Sequence, residues 1–414
     1  MSNPQTNVLY ISYDGMTDPL GQSQVIPYLQ GLSSCGYAIT LMSFEKKERF
    51  SAQYNEINSL LKQSNIQWVP LSYTKKPAVL STLYDLWRMQ RKAKELHKKN
   101  PFRIVHCRSY IAAFAGLMMK RKYGTRFLFD MRGFYADERV DGGIWNRSNC
   151  LYNLIYNYFK KKEKVFLREA DYIVTLTHRA KEIINTWKEV SNQPIPIEVI
   201  PCCADLDFFN PANVSPHRKA ELQRQLALTG NEFILSYVGS VGTWYMLDEM
   251  LVFFRLLLLR KPNAKFLFIT TDKPNHIFER ALANKVPEQN IIVIPSTRKD
   301  LPAYLSLSSW SIFFIKPVFS KSASSPTKQG EIMGMGIPHV CNSGVGDVDE
   351  IVKRNGVGLC IKDFTEEDYN KAIDTMLQNT KPETGAIMKA AQEVYSLHSG
   401  IALYAKVYKY LNKQ

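Results

Sequence analysis

Short apolar runs of β-prone residues recur along this chain, each separated from the next by a longer stretch with helical spacing, and this alternation restricts its fold more than any other feature. The first run is residues 8–12 (VLYIS). A turn-rich loop from Asp14 to Gly21 ends it, and residues 22–35 then place Val25, Ile26, Leu29 and Leu32 at helical intervals. Strand-like runs follow at 38–43, 103–107, 127–131 and 172–176. A second series begins after the connection at 194–210. Its expected strands are 233–238, 265–270, 291–294 and 311–315, with a long apolar helix near 247–259 and a closing helix at about 393–412. Alternating β and α segments at this spacing predict parallel sheets with helices on both faces. The expected class is therefore α/β, with two Rossmann-like halves. Ligands of open α/β sheets bind beyond the carboxyl ends of the strands, so two facing sheets would place an active site in the cleft between them.

With 414 residues, 45% hydrophobic and 22% charged, the chain has the balance of a multidomain globular protein rather than of a disordered, collagen-like or coiled-coil one. Its longest apolar stretch, 250–259, contains Arg255 and is too short to span a bilayer. The first residues lack a secretory leader's basic start and cleavage site, so a cytoplasmic location is expected. Seven scattered cysteines without zinc spacing read as reduced, non-metal thiols. The net charge of +15 is uneven: residues 1–200 hold 29 Lys and Arg against 17 Asp and Glu, residues 201–414 hold 24 against 21. One half is thus expected to face an anionic partner.

The densest chemical cluster is Lys321 to Glu331 (KSASSPTKQGE), just after an expected strand. Ser325, Pro326 and Thr327 at a helix start, with Lys321 and Lys328, suit a diphosphate, and Glu331 is placed to accept from a ribose; a capped helix start with solvated lysines is the plainer alternative. Gly239, Ser240, Gly242 and Thr243 form a strand-to-helix turn that would admit a phosphate or serve turn geometry alone. Gly21, at the matching point of the first half, would point N–H dipoles at the same ligand or merely end a Pro/Gly turn. At strand ends of the first half, Asp130, Arg132 and Glu138 are candidates to orient an acceptor, as are His106 and Arg108, with structural ion pairing as the alternative. Two Asp-x-Asp pairs, Asp205/Asp207 and Asp347/Asp349, are too short a signal for a metal, and none is expected. Tyrosine-lysine helices at 152–166 and 84–99 suit an anionic membrane surface or are ordinary half-buried helices.

Four ordered segments, VLYIS with DPLGQSQVIPYLQGLSSCGYAITLMSFEK, FLFDMRGFYADERVDGGIW, VIPCCADLDFF and SSPTKQGEIMGMGIP, resemble bacterial family-four (group 1) retaining glycosyltransferases of the GT-B fold. The resemblance spans nearly the whole chain. It implies an N-terminal acceptor-binding domain at 1–198, a nucleotide-sugar donor domain at 199–392, and a C-terminal helix at 393–414 crossing back to the first. It also implies metal-independent transfer of a sugar from a nucleotide-sugar, by preference a UDP-sugar, to a hydroxyl of a lipid-linked or other glycan acceptor in surface polysaccharide synthesis, with no cofactor. Glu331 matches the second glutamate of the family's pair, while Ala323 stands where the first is found. The family's Arg and Lys after the glycine turn are missing from residues 240–246, and Lys321 or Lys328 would compensate. The family's catalytic-type histidine aligns with Arg108, or with His106 after a shift of two residues. Three alternatives remain: a nucleotide-sugar epimerase of the same fold, a non-catalytic membrane adaptor, and a nucleic-acid binder. The last lacks a recognition helix, and no nucleic-acid partner is expected.

Overall fold

The computed structural model describes residues 5–77, 79–192, 194–295, 297–378 and 382–413. The chain forms two compact units, Met1–Pro201 with Leu397–Gln414, and Cys202–Ser396. In the first, β1 (Thr6–Ser12), β2 (Tyr37–Glu45), β3 (Gln67–Ser72), β4 (Ile104–Arg108), β5 (Arg126–Asp130), β6 (Tyr172–Thr175) and β7 (Ile197–Val199) build one parallel sheet in the order β3-β2-β1-β4-β5-β6-β7. In the second, β8 (Ile234–Val238), β9 (Lys265–Ile269), β10 (Ile291–Ile294), β11 (Trp310–Ile312), β12 (His339–Asn342) and β13 (Gly358–Ile361) are ordered β10-β9-β8-β11-β12-β13, again all parallel. Strand order reverses between β1 and β4, and between β8 and β11, which puts a ligand-binding switch point at the carboxyl ends of those pairs. Central strands β4 and β8 are buried along their whole length, as strands covered on both faces are, and β4 carries the polar His106 and Arg108 into that interior.

Right-handed crossovers fix the layers of the first unit. The connections β3 to β4, β4 to β5 and β5 to β6 all advance in the same direction, so their helices Leu80–Lys99, Ser109–Tyr123 and Cys150–Glu169 share one face. Helices Ile26–Ser34 and Lys47–Gln63 run the other way and take the opposite face. There Leu397–Lys413 packs on Ile26–Ser34, with Ile401 against Gly31 and Tyr404 edge-on to Tyr28.

Several expected elements differ in extent. The helix expected over 22–35 is two helices, Pro19–Gln24 and Ile26–Ser34, broken at Val25 because Pro27 has no N–H and would clash with the preceding turn. The closing helix is likewise two, Thr384–Tyr395 and Leu397–Lys413, interrupted at Ser396, which bridges to Ala204. β3, β7, β12 and β13 were not expected: the first two are edge strands, β3 tolerating Pro70 for that reason, and the last two have only four residues each.

Phe166 is fully buried among Tyr110, Phe114 and Phe129, joining two helices to the sheet. Phe166→Ala is expected to cost the first unit about 3–5 kcal/mol, read as a lower urea midpoint for its unfolding transition.

Candidate functional site

In the second unit the glycine turn and the Lys321–Glu331 segment come together. Gly239 has φ of 101°, open to glycine, and a Cβ there would lie 3.5 Å from the Lys328 Nζ. Lys328 is the second residue of helix Thr327–Gly334, with Pro326 at its N-cap. Its Nζ sits 3.5 Å from the ring centre of Tyr245 and 4.1 Å from that of Tyr237, and donates to the Tyr237 hydroxyl at 3.0 Å. That hydroxyl in turn donates to the Ser240 carbonyl, so a buried cation, a tyrosine and the glycine turn form one chain of hydrogen bonds. Burial, only partly opposed by Glu331, drives the Lys328 ammonium well below its ordinary range. Among the described residues no carboxylate lies within ion-pair distance of it. Lys321 is also buried, its Nζ 3.6 Å above the ring of Trp244.

Glu331 sits one turn inside the helix, almost fully buried, with an Arg298 nitrogen 3.6 Å away. Burial raises its carboxyl, against the pull of Arg298 and Lys328. The helix is held from behind by Gln329, whose Oε1 accepts from the Tyr395 hydroxyl at 2.7 Å and whose amide nitrogen meets His339 Nε2 at 3.2 Å. Ala323, in the place of the family's first glutamate, is buried.

The turn 239–243, read from the sequence as admitting a phosphate or serving turn geometry alone, has three of its N–H groups engaged: Val241 N–H donates to Asp272 Oδ2 at 2.6 Å, Gly242 N–H to Ser240 Oγ at 3.3 Å and Gly239 N–H to the Ile269 carbonyl. Asp272, which also accepts from Ser240 Oγ, comes from beyond β9 and gave no sequence signal. Thr243 takes a positive φ of 29° between Gly242 and Trp244. Ser325 Oγ is engaged as well, accepting from Cys202 N–H at 3.1 Å. Gly21, in turn, is the third residue of helix Pro19–Gln24, within its first turn, and a Cβ there would come within 2.2 Å of the Gly15 carbonyl oxygen. Close packing of the loop on the helix explains that glycine.

In the first unit, register aligns Ser12, Arg108 and Asp130 across β1, β4 and β5 at their carboxyl ends. Asp130 is fully enclosed: its Oδ2 accepts from the Tyr404 hydroxyl at 2.9 Å and lies 3.4 Å from His106 Nε2, and Arg132 is 3.9 Å from Oδ1. Burial pushes this carboxyl up, but Arg132, His106 and Arg108 together hold it below its usual value. His106 Nδ1 meets the Tyr408 hydroxyl at 2.8 Å, and burial lowers the imidazole despite Asp130. His106 and Asp130 thus spend their polar atoms inside the unit, on the helix Leu397–Lys413. Arg108 reaches Asp14 at 3.4 Å, and Arg132 takes a left-handed conformation with φ of 58°; both side chains are nearly enclosed and both stand at the switch point. Glu138, in the first turn of Tyr135–Asp141, is partly open. Sequence reasoning missed Tyr237, Trp244, Tyr245, Asp272, Arg298, Tyr404 and Tyr408, because each acts through a contact distant in sequence.

No group of three or more His, Cys, Asp or Glu side chains among the described residues could hold a metal ion, and no helix there is long and apolar enough to cross a membrane. A cavity of about 450 Å³ opens at the amino ends of β8 and β11, near Phe233 and Ser309, away from the candidate donor residues.

Two parallel α/β units, each with charged groups at a carboxyl-end switch point, have the architecture of the GT-B fold. Residues 25–208 match the model of Glycosyltransferase Family 4 and residues 218–393 that of Glycosyl transferases group 1. The chain belongs to this glycosyltransferase family and is a glycosyltransferase. It is similar in fold to sucrose-phosphate synthase from Thermosynechococcus elongatus (TM-score 0.74, 13% identity, covering 99% of this chain and 100% of that one). A glycosyltransferase from Rickettsia africae gives a TM-score of 0.71 at 15% identity with both chains fully covered. Anabaena HepE, crystallised with UDP and glucose, gives 0.66 at 12% identity, covering 98% of this chain and 100% of that one. No curated protein sequence matches the chain.

Burial holds His339 at a pKa of about 4. The unfolded chain takes up this proton near pH 6.5 and the folded chain only near 4, so stability is full above pH 6.5 and falls as pH drops between the two, by up to about 3 kcal/mol. Denaturant titrations of His339→Asn are expected to show a flatter slope across that window than the parent.

Proposed function

We propose that the chain moves a sugar from a nucleotide-diphosphate donor, by preference a UDP-sugar, to a hydroxyl of a lipid-linked or other glycan acceptor. Transfer would proceed with retention at the anomeric carbon and without a metal ion, in bacterial surface polysaccharide assembly on the inner face of the cytoplasmic membrane. The observation that carries the reading is Lys328: a buried cation held by two aromatic faces and a hydroxyl against a glycine turn, with no carboxylate among the described residues in ion-pair contact. Such a site favours an incoming anion, since desolvation strengthens the attraction.

In the transfer, the bond from the anomeric carbon to the diphosphate oxygen breaks, a bond to the acceptor oxygen forms, and the acceptor proton leaves for the departing phosphate. Negative charge grows on that phosphate as the bond breaks. Lys328, and Lys321 over the ring of Trp244, would neutralise this charge, the role a metal ion fills elsewhere. Glu331 would hold the ribose hydroxyls, and Gly239 permits close approach of the diphosphate. Arg108 and Arg132 would receive an anionic acceptor, with Glu138 nearby, while His106 and Asp130 hold the strand ends that carry the two arginines. The UDP seen with Anabaena HepE supports uridine as the first choice. Ala323 favours one further reading, nucleotide binding without transfer, because the family's first glutamate is missing there.

A thermal-shift comparison of UDP, GDP, ADP and CMP tests the donor. UDP is expected to raise the melting temperature most, and Lys328→Met or Glu331→Ala to weaken its binding about ten-fold or more. A protein stabilised by no nucleotide overturns the reading. Because the free Lys328 ammonium is depressed and a bound phosphate would restore it, nucleotide binding is also expected to take up protons at pH values between the free and the bound titration. Calorimetry in buffers of different ionisation enthalpy measures this uptake, which Lys328→Met should abolish.

A further inference from the structure

Every unit of net charge in the chain lies in the first unit: Met1–Pro201 with Leu397–Gln414 holds 32 Lys and Arg against 17 Asp and Glu, whereas Cys202–Ser396 holds 21 of each. The same unit exposes large apolar side chains in an ordered pattern. On helix Leu80–Lys99 the buried residues include Asp85, Met89, Ala93 and Leu96, while Leu80, Leu83, Tyr84 and Trp87 are each more than half exposed. Their spacing of three, four and seven residues makes one continuous stripe on the outer face. Helix Cys150–Glu169 carries a second stripe, Leu151, Leu154 and Tyr158, the two leucines also more than half exposed. Basic groups line both: the Arg88 and Arg91 guanidinia lie 5.4 Å from the Tyr84 and Trp87 ring centres, and the Lys162 Nζ 5.5 Å from Tyr158.

The two stripes belong to one surface. Both helices lie on the same face of the sheet, flanking Ser109–Tyr123; Phe114 of that helix packs on Tyr158, and its carbonyl accepts from Gln90 of the first. Helices that follow strands in a parallel sheet run back along them, so the stripes, in the amino-terminal halves of their helices, stand at the carboxyl ends of the strands. Two contacts place them there. Tyr13, just beyond β1, donates to Asp85, and Tyr156 donates to Asp137, in the segment beyond β5. Arg108 and Arg132 occupy that same edge.

We infer that this face docks on an anionic lipid bilayer, its leucines and aromatic rings entering the headgroup layer and its arginines and lysines pairing with lipid phosphates. The proposal deepens the membrane-peripheral part of the function proposed above and rests on it only in that part. Aromatic rings paired with cations beside aliphatic side chains suit the interface, where the rings and stems meet acyl chains and the charges stay with headgroups. A second copy of this chain would bring the same positive charge to the contact and be repelled. Nucleic acid has no use for exposed leucines.

The test is sedimentation of the full-length protein with vesicles of phosphatidylcholine alone or mixed with phosphatidylglycerol. Binding is expected to the anionic vesicles and to weaken with salt. The double variants Leu83→Ser/Trp87→Ser and Leu151→Ser/Leu154→Ser are each expected to lower partitioning about ten-fold or more, and Arg91→Glu to lower it on anionic vesicles only. All substitutions are on exposed positions, and an unchanged urea midpoint for the first unit certifies the fold. A parent protein that stays in the supernatant with anionic vesicles overturns the proposal, as do double variants that sediment like the parent, or an apolar face found by analytical ultracentrifugation to hold two copies together. Lys328→Met is expected to lose UDP binding yet sediment normally, so a failed donor assignment and a failed docking surface give different results.

Discussion

In each unit the loop after the first strand is braced by a carboxylate from the end of the neighbouring second strand, and the geometry at both switch points depends on that brace. In the first unit Glu45, the last residue of β2, is buried and accepts from Met16 N–H at 2.8 Å, Thr17 N–H at 3.2 Å and Thr17 Oγ1 at 2.7 Å. In the second, Asp272 beyond β9 accepts from Val241 N–H and Ser240 Oγ. A sharp loop at a strand end leaves N–H groups with no ladder partner, and leaving them unmatched costs about 1–3 kcal/mol each. One fixed carboxylate satisfies several at once, so the loop has a single shape. On that shape rest the seat of Lys328 against Gly239 and the reach of Arg108 to Asp14.

The units treat buried charge in opposite ways. The first encloses His106 and Asp130 among tyrosine hydroxyls and arginines, where the carboxylate has opposite charge beside it and hydrogen bonds on one oxygen. The second keeps Lys328 among aromatic rings, which attract a cation without neutralising it. An internal network of the first kind holds a scaffold, whereas a site of the second kind retains attraction for an anion from outside.

Much of this was legible in the sequence because parallel strands buried on both faces are written as unbroken apolar runs. Residues 8–12 and 234–238 announce themselves in this way. β12 and β13, with polar His339 and Asn342 and with Gly358 in runs of four, do not. The segment Lys321–Glu331 was recognisable from composition, since small residues, a proline and two lysines at a helix start are an uncommon combination. Its aromatic half was hidden: Tyr237 reads as strand filler, and Tyr245 lies in a stretch remarked only for lacking Arg and Lys. His106 and Asp130 looked like cleft residues because they close strands. What encloses them is a helix some 270 to 300 residues further on, a separation that no local pattern encodes.

That helix, Leu397–Lys413, makes the second unit an insertion within the first. The inserted unit is contiguous and has its own core, so it can fold as soon as Ser396 has left the ribosome, because domains generally fold as units during synthesis. The first unit, although most of it is made earlier, waits for the last residues before Tyr404 and Tyr408 can seal Asp130 and His106. The order of synthesis and the order of completion are therefore reversed, and the nascent chain carries an open, strongly basic sheet for the whole time its second half is being made.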